Sequence, residues 1–171
     1  MILNIQIKMV RYFFLFFFVP CLLFASDEMI PVTGQEGSFA KRYPLNILVV
    51  DDSSVNRLVA KALLQKKLGY KIKSAASGEK AINLCCQTSF DLVLMDLYMG
   101  YENGYDTARA ILSNTPEGTT QPHIYAYSSG NKEECLPECL GSGIRGFILK
   151  PQRPEFFKSF LQEFYEHRVQ P

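Results

Sequence analysis

The sequence predicts an α/β fold, a doubly wound sheet of five parallel strands with helices on both faces, and three observations carry that prediction. After Pro44, short apolar runs alternate with segments of helical period, and parallel neighbours are joined by right-handed helical crossovers. The third run is apolar nearly throughout, as a strand covered on both faces must be, which places it in the centre of the sheet. The residues that end the runs are acidic, hydroxylic or basic, and an open parallel sheet binds its ligands outside the carboxyl ends of its strands.

Residues 1–25 stand apart from this pattern. Lys8 and Arg11 precede an apolar run from Tyr12 to Ala25, the charged-then-apolar order of a secretory signal, short for a membrane span and interrupted by Pro20. Leu23 is larger than a cleavage site after Ala25 prefers, so a cleaved signal, a poor anchor and a working start at Met29 all stay open. If retained, residues 12–25 are the only expected membrane contact. Residues 26–43 are polar, hold Pro31, Gly34 and Gly37, show no period, and read as a linker.

The domain is expected over 44–168. LNILVV (45–50) is the first strand, followed by a helix whose stripe is Val55, Leu58, Val59, Ala62 and Leu63. KIKSA (71–75) precedes a helix over 78–87, and DLVLMD (91–96) precedes one over 105–112. HIYAYS (123–128) precedes 132–140, and GFILK (146–150) precedes 155–167, where Phe156, Phe157, Phe160, Leu161 and Phe164 form the side that docks on the sheet.

A chain of 171 residues with 47% hydrophobic content buries one ordinary core with something appended. Eighteen Lys and Arg nearly balance seventeen Asp and Glu, and no basic block suits a nucleic-acid backbone, so no nucleic-acid partner is expected. The five cysteines include the pairs Cys85–Cys86 and Cys135/Cys139 but no second His/Cys pair to complete a zinc site, and they read as reduced thiols.

The strand ends carry the chemistry. The first run ends in Asp51 and Asp52, the third in Asp96, the fourth in Ser128 and the fifth in Lys150 before Pro151. Singly, each residue has an ordinary explanation, but together they bring three carboxylates, a hydroxyl and an ammonium to one edge. Three adjacent carboxylates repel, and Mg²⁺ (or Mn²⁺) relieves that repulsion while bridging carboxylate to phosphoryl oxygen. With Asp51 and Asp52 on the cation, Asp96 can lend one oxygen to it and attack phosphorus with the other, forming an acyl phosphate. Lys150 then neutralises charge on the transferring group and the Ser128 hydroxyl bonds one of its oxygens.

Over about Tyr43 to Tyr165 the sequence resembles a response-regulator receiver domain of the two-component type, most like the receivers of hybrid sensor histidine kinases. YPLNILVVDDSSVNR resembles the family's first strand, acidic pair and first helix, VLMDLYMGYENGYD the segment around its phosphoacceptor, and CLGSGIRGFILKP its closing strand with the Lys-Pro pair. The resemblance implies a flavodoxin-like sheet in order 2-1-3-4-5 with five helices. It implies Asp96 as phosphoacceptor, Tyr98 as the residue whose backbone carbonyl completes the metal shell, and Ser128 with Phe147 as a coupled switch. It also implies a cis Lys150–Pro151 bond. Gly100 stands where the family usually has Pro, which should loosen the loop after Asp96, and the bulk of Tyr98 should slow loss of phosphate.

The function expected is that of a phosphorelay receiver with no catalysis beyond its own phosphorylation and dephosphorylation. Its phosphate would come from a sensor histidine kinase or a histidine phosphotransfer protein, and its effect would pass to a downstream protein partner. The competing readings are a phosphatase or phosphotransferase working through an aspartyl phosphate, which would want a second Asp where Tyr98 stands, and an unphosphorylated interaction module, which would lack one of the five residues. A kinase-dependent domain belongs in the cytoplasm, against the outward direction that Lys8 and Arg11 favour.

Overall fold

The structure is a computed structural model that describes residues 38–116 and 118–169. The signal-like segment 1–25, Met29 and the first part of the expected linker lie outside the described residues. The strands are β1 (Ile47–Val50), β2 (Ile72–Ala75), β3 (Leu92–Met95), a small pair β4 (Tyr98–Met99) and β5 (Glu102–Asn103), β6 (His123–Ser128) and β7 (Phe147–Leu149). Five of them form a parallel sheet in order β2-β1-β3-β6-β7, which is the expected 2-1-3-4-5 once the β4–β5 hairpin is set aside.

Alternation along the central strands explains why both faces must be covered. Leu48, Val50, Val93 and Met95 point into one apolar cluster, and Ile47, Val49, Leu92 and Leu94 into the other. The first cluster is closed by Ala81 of α3 (Gly78–Gln87), by Tyr105, Ala108 and Ile111 of α4 (Gly104–Ser113), and by Cys135 and Cys139 of α5 (Lys132–Gly141). The second is closed by Ala60 of α2 (Ser54–Lys61), Leu63 and Leu64 of the π-helical stretch Ala62–Lys67 that continues it, and Phe157, Leu161 and Phe164 of α6 (Pro154–Val169). Side-chain caps begin four of these helices: Ser53, Ser77, Asn103 and Asn131 each accept from an amide two or three residues on.

Two expectations change. The linker was read to run to 43, yet Ser38–Arg42 form a further short helix, α1. Phe39 packs on Tyr43 with ring centroids 5.0 Å apart, and the Tyr70 hydroxyl donates to the Tyr43 carbonyl at 2.8 Å. Aromatic area in an otherwise polar segment decided the outcome there. The expected stripe turns inward only at its end: Leu63 is buried and Ala62 half-buried, whereas Val55, Leu58 and Val59 are 65%, 65% and 49% exposed. The inward face is offset by one residue, through Ala60, Leu63 and Leu64, and the wider π turn carries it on to Leu68.

At the end of the sheet away from the acidic residues, His123 of β6 packs edge-on against Phe164 with centroids 5.2 Å apart. Burial, then the charges of Arg145 and Arg168, push its pKa down from 6.5 to about 4, while Asp91 pulls the other way. The folded state therefore resists a proton that the unfolded chain accepts. The stability tied to neutral His123 is complete above pH 6.5 and is lost as pH falls from there toward about 4. Thermal melts across that window should show a smaller acid-side drop for His123→Phe than for the wild type; parallel curves would contradict this. Among the described residues no helix is long and apolar enough to cross a membrane.

Candidate functional site

Asp51, Asp96 and Lys150 stand one step beyond their strands, held there by the neighbouring strand; Ser128 is the last residue of β6, and Asp52 follows Asp51. The Asp51 amide donates to the Ala75 carbonyl at 3.1 Å, the Asp96 amide to Val50 at 2.9 Å, and the Lys150 amide to Ser128 at 2.9 Å. The parallel ladder thus continues past β1, β3 and β7 and brings all five groups to the carboxyl edge, as the sequence predicts.

Carboxylate oxygens of Asp51, Asp52 and Asp96 lie within 4.8 Å of one another. Asp51 is buried, and its carboxylate accepts from the Ser53 amide at 2.9 Å and from Asn56 Nδ2 at 3.2 Å. The Lys150 ammonium reaches Asp51 Oδ2 and stands 2.9 Å from Asp96 Oδ2, 5.3 Å from the Tyr127 ring centroid. Asp52 is exposed at the mouth of the cluster. One ammonium against three carboxylates leaves the cluster net negative, and its donors are all hard oxygens. That set fits a small divalent cation such as Mg²⁺ or Mn²⁺ rather than a thiol- or imidazole-seeking metal.

Ser128 ends β6, the strand paired with the one that leads to Asp96. Its Oγ is fully buried and has no hydrogen-bond partner among the protein atoms, an unmet polar atom that a fourth oxygen-bearing group would satisfy. Phe147 lies half-buried on β7, opposite Ala126 of β6. The Lys150–Pro151 bond is cis.

The chain leaving Asp96 folds into the β4–β5 hairpin. Gly100, at φ +60°, forms with exposed Tyr101 the two-residue turn that closes the β4–β5 hairpin. Tyr98 opens β4, two residues beyond Asp96, and its hydroxyl lies 3.5 Å from Cys135 Sγ, a contact that raises its pKa. Gly104 ends the loop where an added Cβ would stand 2.3 Å from the Asp96 carbonyl oxygen.

Two residues near the acidic pair escaped the sequence reading. Arg57 Nη1 donates to the carbonyls of Asp51 at 2.7 Å and Asp52 at 2.8 Å, clamping the acidic turn from the first turn of α2, and Asn56 orients the Asp51 carboxylate. Their signal was position alone, three and four residues after the Ser53 cap. Cys85, Cys86, Cys135 and Cys139 are free, the last two buried in the core.

Residues 47–162 match the family described as response regulator receiver domain. Ethylene receptor 2 of Oryza sativa subsp. japonica is 32% identical over 138 residues, which are 76% of this chain and 18% of that protein. Hybrid signal transduction histidine kinase H of Dictyostelium discoideum is 37% identical over 114 residues, 64% of this chain and 8% of the relative. The chain thus spans a minor part of these relatives. Among solved structures, the receiver domain of a sensor histidine kinase from Pseudomonas aeruginosa PAO1, with magnesium coordinated in its active-site cleft, superposes with TM-score 0.62 at 27% identity, covering 71% of this chain and 98% of that one.

Proposed function

The chain belongs to the response regulator receiver domain family, and from that premise we propose that it is a phosphorelay receiver whose acceptor is Asp96. The observation that carries the reading is the strand-end cluster: Asp96 shares Lys150 with Asp51, beside Asp52 and the unmet hydroxyl of Ser128. A bound Mg²⁺ or Mn²⁺, held by Asp51, Asp52, Asp96 and the Tyr98 backbone carbonyl, would supply charge neutralisation for the phosphoryl oxygens. The Asp96 carboxylate attacks phosphorus as the bond to a histidine nitrogen of the donor breaks, the imidazole leaves, and the product is an acyl phosphate. Lys150 turns from carboxylate to phosphoryl charge, and Ser128 donates to a phosphoryl oxygen.

Ser128 moving toward the phosphoryl group vacates space for the Phe147 ring on the adjoining strand, and that repacking is the output read by a downstream protein. The bulk of Tyr98 over this edge favours slow hydrolysis. Chemistry beyond the domain's own phosphorylation and dephosphorylation is not part of this reading, and a cytoplasmic setting follows from the need for a kinase-derived phosphoryl group.

The donor docks on α2. Val55, Leu58 and Val59 present an apolar strip to solvent within the first two turns after the acidic pair, a face suited to an apolar helix bearing a phosphohistidine. Leu58→Asp should slow transfer from a sensor kinase or phosphotransfer protein by about ten-fold or more while leaving phosphorylation by a small phosphodonor unchanged. Equal rates with the protein donor would place the docking surface elsewhere.

A further inference from the structure

The β4–β5 hairpin is fastened at its base by a joint that the acceptor chemistry above does not use. Glu102 Oε2 accepts a hydrogen bond from the amide of Gly78, the first residue of α3. That amide is one of the donors a helix start leaves without an internal partner, and a carboxylate there also meets the positive end of the helix dipole. Gly78 has no room for a side chain: an added Cβ would stand 2.3 Å from Thr107 Oγ1 and 3.3 Å from Glu102 Oε2. Thr107 in turn donates to the Asn103 carbonyl at 3.1 Å, and Asn103 caps α4 through the Tyr105 amide at 2.8 Å. The second strand of the hairpin is thereby tied to two helices.

The pairing carries that restraint to the acceptor side. Met99 faces Glu102 and Tyr98 faces Asn103, so the backbone of Tyr98, two residues beyond Asp96, cannot move without moving the joint. On the other flank the Tyr98 hydroxyl rests on Cys135 of α5. Gly100 at the tip supplies no stiffness of its own through a side chain, which leaves the fixation of the loop to its base.

We infer that Glu102 is a positioning residue for the metal side of the site: by anchoring the hairpin to the start of α3 it holds the Tyr98 backbone where a bound cation needs it. The inference rests on the metal-dependent reading proposed above. Removing the tether lets the loop sample positions in which the cation loses a ligand. By reciprocity, a cation that binds the ordered loop must strengthen the tether by the same factor.

Mg²⁺ titration calorimetry of the full chain, with Glu102→Ala, Glu102→Gln and Asp51→Asn, tests this. Glu102→Ala should bind Mg²⁺ roughly ten-fold more weakly, at the low end for residues that support metal ligands. Glu102→Gln loses the charge but keeps an acceptor for Gly78, and should recover most of the affinity. Wild-type affinity in Glu102→Ala overturns the inference. So does a Gln variant as weak as Ala, because long-range charge would then account for the loss. Should the Ala variant fail to fold, exchange of the Gly78 amide in the wild type decides: saturating Mg²⁺ should slow it roughly ten-fold, and no slowing overturns the inference. A purely structural joint would lower melting temperature without moving either readout. Mg²⁺ binding that survives Asp51→Asn, or is missing from the wild type, would instead overturn the metal reading itself.

Discussion

Asp96→Asn is expected to abolish phosphate uptake, from protein and small phosphodonors alike, while leaving the fold intact. The amide oxygen is too weak a nucleophile to displace the donor's leaving group, and among the described residues no other carboxylate combines burial with contact to Lys150 except Asp51, whose oxygens are taken by Ser53, Asn56 and Lys150 itself. Stability should change little because opposing terms nearly cancel. Lys150 at 2.9 Å attracts the Asp96 carboxylate, while the carboxylates of Asp51 and of exposed Asp52, within 4.8 Å, repel it. The net effect should stay within about 1 kcal/mol, read from chemical denaturation. Phosphate incorporation by the variant would move the acceptor elsewhere.

Gly104→Ala should cost about 3 kcal/mol, the upper part of the range for forcing extra volume into a packed site, and should impair phosphorylation as well. The new methyl would stand 2.3 Å from the Asp96 carbonyl oxygen and 2.8 Å from Leu97 Cα, both backbone atoms that cannot swing away as a side-chain tip does. Relief requires moving the backbone at the acceptor, or the Gly104 amide that bonds the Leu97 carbonyl at 3.0 Å. By contrast Gly118→Ala, at φ +80° with nothing within 4 Å, should suffer only its local backbone strain and keep full phosphorylation. Comparable losses of phosphorylation in the two variants would contradict the close packing proposed for position 104.

The strand ends were legible because each reacting group is adjacent in sequence to an apolar run, so a pattern of period and termination placed Asp51, Asp52, Asp96, Ser128 and Lys150 without any long-range information. The strand order and the roles of Tyr98 and Phe147 came from family resemblance. What period could not resolve was angular offset. Val55, Leu58 and Val59 continue a helical stripe to Leu63 as well as Ala60 and Leu64 flank it, and only packing in the cluster with Phe157 and Leu161 selects Ala60, Leu63 and Leu64. The short helix over 38–42 was hidden because its burial depends on Tyr70, far along the chain. The Glu102 tether was hidden for a similar reason: its partner lies 24 residues away, and a single Glu in a turn carries no pattern. The hairpin that Gly100 closes with a positive φ was hidden too, since a glycine after the acceptor does not by itself announce a paired turn.

The central claim is that the acyl phosphate forms on Asp96 and needs a divalent cation at the same edge. Wild-type protein incubated with a small phosphodonor and Mg²⁺, then reduced with borohydride, converts an aspartyl phosphate to homoserine, which peptide mass spectrometry locates. The account predicts homoserine at position 96 alone, and none when the cation is removed with a chelator before the donor is added. Homoserine at Asp51 or Asp52, or at position 96 in undiminished yield without the cation, would contradict it.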